Sequence, residues 1–283
     1  MTKCDDNISF NFFNVYVKKD LIFCKYISFK SEKKFHNIEN IILNNKLYFS
    51  NFENLNDPFD GRVFFQPLTT IEESELLVTH RWNMDYPGHL LPETVRKEIA
   101  QAFMKSNGNT VETIKKIIVE ENRKFSICSF SIDFLNLSLW AYYADSYTGV
   151  CCLFDPQANK PKDKIFNFCF PVSYEDLYPK ITILDGHVDR ISTLKKMYFT
   201  KAKRWELEQE VRSFLETGPG LYDFSPNSLV GIIMGYDISS KNKNKLISWL
   251  KEREKKTNRK LALYQVKKKD EYEFKLIREE VFY

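Results

Sequence analysis

The chain has 283 residues, of which 43% are hydrophobic and 15% aromatic, with 42 Lys and Arg against 38 Asp and Glu for a net charge of +4. This is ample material for a packed core, and the near balance of charge neither demands a polyanionic partner nor opposes one. Glycine amounts to 9 residues, and neither GxGxxG nor GxxxxGK followed by Ser or Thr occurs, which excludes the two commonest nucleotide-binding loops.

Residues 1–20 open the chain ambiguously, as a strand or a loosely packed arm. The apolar run LIFCKYISF, residues 21–29, predicts a strand. Phe35, Ile38, Ile41 and Ile42 then recur at helical spacing, Asn44 and Asn45 close the helix, and KLYFS, residues 46–50, reads as a short strand. NFENLNDPFDG, residues 51–61, is a turn: Asn56 and Asp57 favour local side-chain to backbone bonds, Pro58 fixes φ, and Gly61 releases the chain. Asn56, Asp57 and Asp60 are candidate ribose or metal ligands in that loop, although turn chemistry accounts for them without a ligand.

From about residue 70 to 124 the pattern is helical, with amphipathic segments at 92–106 and 110–124 separated by Asn-Gly-Asn, and it reads as a helical insertion. FSICSFS, residues 125–131, returns to strand character. LSLWAYYADS, residues 137–146, predicts a short helix sharing Leu139, Tyr142 and Tyr143 on one face. GVCCLFD (149–155) and IFNFCFPVSY (165–174) predict strands, and residues 187–202 a helix. The tail predicts a strand at 228–238, a helix at 240–256 and a β-hairpin over 260–280 that breaks at KKKDE. With no repeat, low-complexity segment or clean linker, the economical account is one mixed α+β domain over residues 1–283 with a helical insertion at about 70–124.

The six cysteines, Cys4, Cys24, Cys128, Cys151, Cys152 and Cys169, lie mostly in apolar runs and read as small core hydrophobes. There is no CxxC, and His36, His80, His89 and His187 stand far apart, so no metal is expected. No leader-like segment or long apolar run is present, so the expectation is a soluble, cytoplasmic protein with no membrane partner.

The segment KAKRWELEQEVRSFL, residues 201–215, admits two readings. As a helix it aligns Leu207, Val211 and Phe214 and sets Glu208 four residues before Arg212, a surface pair worth a few tenths of a kcal/mol. As a strand it turns Glu206, Glu208, Glu210 and Arg212 to one face, with like charges about 7 Å apart. The second arrangement is one that chemistry would use.

Taken together, KYISFKSEKKFHNIENIILNNKLYFSNFENLNDPFDG, ICSFSIDFLNLSLWAYYADSYTGVCCLFD and KRWELEQEVRSFL resemble a widespread bacterial family catalogued as a domain of unknown function, over about residues 21–275. More weakly, the same layout resembles the ADP-ribosyltransferase fold. That likeness implies a mixed, mostly antiparallel split sheet and cleavage of the nicotinamide–ribose bond of NAD through an oxocarbenium-like transition state. It implies a ligand-holding group at Lys25 or Tyr26 on the first strand, bracing serines at Ser129 and Ser131, and carboxylates at Glu208 and Glu210. Glu210 would stabilise the sugar cation and Glu208 orient the acceptor, leaving Glu206 solvated. The better-known transferases carry Arg or His at the first position, and a Lys meets phosphate only as a point charge.

On this reading NAD is the substrate, the acceptor is a protein or nucleic acid, and the enzyme acts as a toxin or antiphage effector. Blander readings stand beside it. Ser129 and Ser131 are also the polar positions of an alternating strand. Trp140, Tyr142, Tyr143 and Tyr147 offer flat walls for an adenine or nicotinamide ring, and serve equally as core. The basic runs of the tail read as exposed surface. Two other classes of function fit as well: an inactive module sensing a nucleotide or phage component, and an interaction protein that docks a partner through residues 70–124.

Overall fold

A computed structural model describes residues 21–158, 163–269 and 274–278 of the chain. The ambiguous opening at 1–20, with Cys4, lies outside the described residues, as do residues 270–273 in the hairpin predicted for the tail. The described chain separates into two compact units. The first comprises the described parts of Met1–Asn51, Phe125–Val172 and Trp205–Tyr283, and the second is Phe52–Lys124 with Ser173–Arg204.

The first unit is built on one sheet. Its strands are β1 (Phe23–Ile27), β4 (Ser126–Ser131), β5 (Val150–Phe154), β6 (Cys169–Pro171), β10 (Glu210–Leu215), β12 (Leu229–Met234), β13 (Ala262–Lys268) and β14 (Phe274–Arg278). They lie in the order β14-β13-β12-β5-β1-β4-β10-β6, while β2 (Lys46–Phe49) and β11 (Gly220–Asp223) of this unit form a separate antiparallel pair, and β3 (Phe64–Phe65) and β8 (Lys180–Ile181) of the second unit a parallel one. Neighbours in the eight-stranded order are antiparallel except β12 and β13, which run parallel. A parallel pair needs a crossover, here supplied by the helix α7 (Ser240–Thr257). The predicted tail hairpin forms, with β13 antiparallel to β14.

The larger core lies on one face of the sheet. It joins Phe23, Ile27, Cys128, Phe130, Cys152, Phe154 and Val211 to Ile38, Ile41 and Ile42 of helix α1 (Glu32–Asn44) and to Leu246, Trp249 and Leu250 of α7. The i, i+3, i+4 spacing of these helix positions is what turns one stripe to the sheet. Ser31 caps α1 by accepting from the Lys34 N–H, and Asn45 closes it at φ +51°. Buried Arg253 of α7 donates to the Ile42 carbonyl (2.7 Å), Asn45 Oδ1 (2.5 Å) and the Pro226 carbonyl (2.9 Å), which ties the end of α1 to α7. Burial, and then the charge of Arg259, depresses its guanidinium to about 10. On the opposite face a smaller core gathers Cys24, Trp140, Ala144, Cys151, Ile233 and Val266.

The second unit holds the helices α2 (Ile71–Asp85), α3 (Glu93–Asn122), α5 (Ile183–Val188) and α6 (Arg190–Tyr198). The insertion predicted at 70–124 is therefore part of a larger unit that also takes in residues 173–204. Its predicted break at 107–109 is absent, and α3 runs through those positions. One Gly costs roughly 1 kcal/mol in a helix, which two long flanking segments outweigh. The strand predicted at 165–174 divides into the 3-10 turn Lys164–Phe166, β6 and β7 (Ser173–Glu175), and the helix predicted at 187–202 into α5, α6 and the strand β9 (Thr200–Ala202).

Five described cysteines, Cys24, Cys128, Cys151, Cys152 and Cys169, are free and buried. Burial pushes the Cys128 thiol up and the Cys152 thiol to about 12. Among the described residues no helix is long and apolar enough to cross a membrane.

Candidate active site

Residues 201–215 form neither a single helix nor a single strand. A 3-10 helix, Lys203–Glu208, ends at Gln209 with φ +45°, and β10 starts at Glu210. The left-handed Gln209 breaks the alternation, so Glu206, Glu208 and Glu210 share no strand face. A non-glycine residue in that region carries strain and persists where its surroundings enforce it. Here the Gln209 N–H donates to the Glu206 carbonyl (3.1 Å) and its carbonyl accepts from Ile132 N–H (3.2 Å). Glu206 is exposed, as the sequence suggests, while Leu207, aligned with the core in the helix reading, is 69% exposed.

Register decides which side chains meet. Glu210 stands opposite Ser131 and Arg212 opposite Ser129, and Ser131 is also opposite Cys24. Directly opposed residues of antiparallel strands point to one side of the sheet, so Glu210, Arg212, Ser129, Ser131, Cys24 and, two residues along β1, Tyr26 share the face of the smaller core. Lys25 lies between Cys24 and Tyr26 and therefore points to the other face. Its Nζ stands 5.4 Å from the centre of the Phe130 ring and donates to the Ser129 carbonyl at 3.0 Å. Lys25 thus does not join Ser129, Ser131 and Glu210, because adjacent residues of a strand cannot both face one site. Beyond Cys24 opposite Ser131, β1 and β4 have no further register pair among the described residues, and the Lys25 amine serves a carbonyl at this parting of the strands.

The helix α4 (Leu137–Tyr142) brings the aromatic residues to the same face. Trp140 is fully buried, packs edge-on against Tyr26 with ring centres 5.1 Å apart, and donates through Nε1 to the Phe134 carbonyl (3.0 Å). The Tyr26 hydroxyl donates to the Asp133 carbonyl at 2.6 Å, and burial, reinforced by Cys151, Cys24 and Asp133, pushes its pKa far above the ordinary tyrosine value. Leu139 is buried and Tyr142 is 75% exposed, so the face predicted to join Leu139, Tyr142 and Tyr143 does not form. Tyr143 instead donates to Glu208 Oε1 at 2.8 Å.

Both carboxylates are withdrawn from solvent. Glu208 is 8% exposed, and its backbone carbonyl accepts from the Ser131 hydroxyl at 2.7 Å. Asn136 Nδ2 donates to the neighbouring Leu207 carbonyl at 2.5 Å. Glu210 is 5% exposed and meets Arg212 in a bidentate pair, Nε to Oε1 at 2.7 Å and Nη2 to Oε2 at 3.1 Å. Arg212 itself has no exposed surface. The surface pair between Glu208 and Arg212 expected of a helix is replaced by this buried pair within one strand. Arg212, Asn136 and Asp133 go beyond the residues that sequence patterns mark for the site: the alternation of Glu210 with Arg212 is the available signal for the first, Asn136 shows the residue preference of an N-cap and accepts from the Leu139 N–H at the start of α4, and Asp133 carries no signal.

Of the sequence candidates, Tyr26, Ser129, Ser131, Trp140, Tyr143, Glu208 and Glu210 therefore gather on one side of the sheet, Lys25 lies on the other, and Asn56, Asp57 and Asp60 belong to the second unit, where Asp57 Oδ1 accepts from the Phe59 N–H (2.9 Å) as turn chemistry accounts for. Among the described residues no group of three or more His, Cys, Asp or Glu is placed to hold a metal ion. Comparisons of the chain with protein-family models, with curated proteins and with solved structures give no match.

Proposed function

We propose that the protein is an enzyme of the ADP-ribosyltransferase type, cleaving the N-glycosidic bond of NAD or a related nucleotide at the face that carries Glu208 and Glu210. The observation that supports this reading is strand order: the Ser-Phe-Ser strand β4 lies between the first strand and the acidic strand β10, with Ser131 level with both Cys24 and Glu210. A buried carboxylate stabilises positive charge developing on a sugar more strongly than an exposed one, because little water screens it. Arg212 holds both Glu210 oxygens and offsets their charge, so the carboxylate proposed to meet the sugar cation is Glu208, in place of the orienting role the resemblance implies. A transferase would pass the ribosyl carbon to a protein or nucleic-acid nucleophile, and a glycohydrolase to water.

The test is nicotinamide release from NAD by the purified full chain, followed by chromatography. Glu208→Gln, which keeps an acceptor for Tyr143 and removes the charge proposed here to face the sugar cation, is expected to abolish release while the protein stays folded by circular dichroism. Release by neither the wild type nor any preparation supplied with acceptor would overturn the reading. The Arg212 pairing favours one alternative, a module that binds a nucleotide without turnover, since a paired Glu210 presents less negative charge. NAD would then raise the melting temperature and leave the solution unchanged.

A further inference from the structure

We propose that Tyr143 is the positioning residue of this site, holding the Glu208 carboxylate in the orientation the chemistry requires; the proposal rests on the glycoside-cleaving reading above. As a flat aromatic residue, Tyr143 is by sequence a candidate for the wall of a base pocket. Its hydroxyl instead donates to Glu208 Oε1 at 2.8 Å, a charge-assisted bond of the stronger kind. The backbone on either side of that carboxylate is held separately, by Ser131 at the Glu208 carbonyl and by Asn136 at the Leu207 carbonyl. These two act on the backbone, whereas Tyr143 acts on the Glu208 carboxylate itself and so bears on the direction of the side chain.

Tyr143 is in turn set by an unusual turn. Asp145, Ser146 and Tyr147 follow one another at φ +48°, +52° and +70°, a run of left-handed non-glycine residues of the sort retained only where the surroundings over-determine it. Ser146 N–H donates back to the Ala141 carbonyl (2.9 Å), Tyr147 N–H to the Trp140 carbonyl (3.1 Å) and Gly149 N–H to the Ala144 carbonyl (2.8 Å). Two glycines let backbone close on the turn. A Cβ at Gly235 would stand 1.9 Å from the Tyr147 carbonyl oxygen, and one at Gly149 would stand 2.3 Å from that of Ile27. The end of α4 is thus pinned from both sides, with Trp140 anchored on Tyr26 and Tyr143 aimed at Glu208.

The decisive variant is Tyr143→Phe, which keeps the ring and removes the donor. Nicotinamide release from NAD is expected to fall about thirtyfold in kcat with KM within about twofold, the size expected of one hydrogen bond to a charged group. An unchanged kcat, or a loss confined to KM, overturns the positioning role and returns Tyr143 to ligand contact. A second readout does not depend on turnover. The ultraviolet Raman difference between wild type and Tyr143→Phe should show a tyrosine donating to a carboxylate, and the same difference taken in a Glu208→Ala background should lose that signature. An identical difference in both backgrounds overturns the proposal. If the wild type releases no nicotinamide, the glycoside-cleaving reading falls, while the Raman comparison still decides whether Tyr143 holds Glu208.

Discussion

Replacing Glu210 by Gln removes one charge from a pair whose Arg212 has no exposed surface and whose two bonds measure 2.7 and 3.1 Å. Breaking a buried pair from one side costs about 3–5 kcal/mol, because the remaining ion stays desolvated without its counter-charge. Gln keeps one acceptor for the guanidinium, which places the expected cost near the lower bound, about 3 kcal/mol, or a fall in melting temperature of roughly 6–12 °C for a chain of this size. Replacing both members, Glu210→Leu with Arg212→Met, substitutes apolar volume for the pair and should recover most of that loss. Urea denaturation followed by tryptophan fluorescence reads the first unit well, since Trp140 and Trp249 are both buried there. A Glu210→Gln variant within about 1 kcal/mol of wild type, or a double variant no more stable than the single, would refute the account of a mutually dependent buried pair. The same number governs how activity data are read: a dead Glu210→Gln protein proves nothing about catalysis until it is shown to be folded at the assay temperature.

The close approach at Gly235 predicts that Gly235→Ala lowers stability by about 3 kcal/mol or more, because the obstacle is the Tyr147 backbone carbonyl rather than a mobile side chain; denaturant midpoints check this. In a Cys4→Ser background, the five buried thiols should resist a disulfide reagent in native protein near neutral pH and react fully once the chain is unfolded, since burial raises the thiols of Cys128, Cys151 and Cys152 and shields all five. In the second unit, Thr70→Ala breaks the capping box that Thr70 and Glu73 form at the start of α2 and should cost about 1 kcal/mol. The Thr69 N–H above all, with Thr70 N–H and the Thr69 hydroxyl, holds the Glu73 carboxyl below its ordinary value of 4.5. A depressed carboxyl lends stability that is present above the unfolded value and is lost as pH falls through the lower folded one, so the acid limb of the wild-type melting curve should flatten in Glu73→Gln. Trp82, which lies in α2 with its ring centre 4.5 Å from that of Tyr86 at a tilt of 39°, reports that transition.

Local chemistry left clear marks where an element answers to its own residues. The strand at 23–27, the helix ending at Asn44 and Asn45, the strands around Cys128 and Cys151, and the tail helix and hairpin could all be read from periodicity and end signals. Periodicity is a property of neighbours a few residues apart, and burial on one face writes it directly into the chain. It failed where two patterns competed. Residues 201–215 satisfied a helix and a strand equally, and the outcome, a 3-10 turn followed by a strand, depends on Gln209 adopting a left-handed conformation held by Ile132, which is 77 residues away in sequence. The two-unit partition was likewise beyond local reach, since residues 173–204 join the 70–124 helices from a distant part of the chain.

By itself, then, the sequence determined the inventory: an α+β chain, its buried free thiols, and a set of acids, serines and aromatics worth testing as a site. The tertiary structure decided their company. Register between β4 and β10 set Ser131 beside Glu210, strand alternation sent Lys25 to the far face, and burial converted Arg212 from a surface partner of Glu208 into the buried partner of Glu210. The reason is that hydrogen-bond register and desolvation are long-range properties: which residue stands opposite another, and whether water still reaches the pair, is settled only when strands far apart in sequence come together.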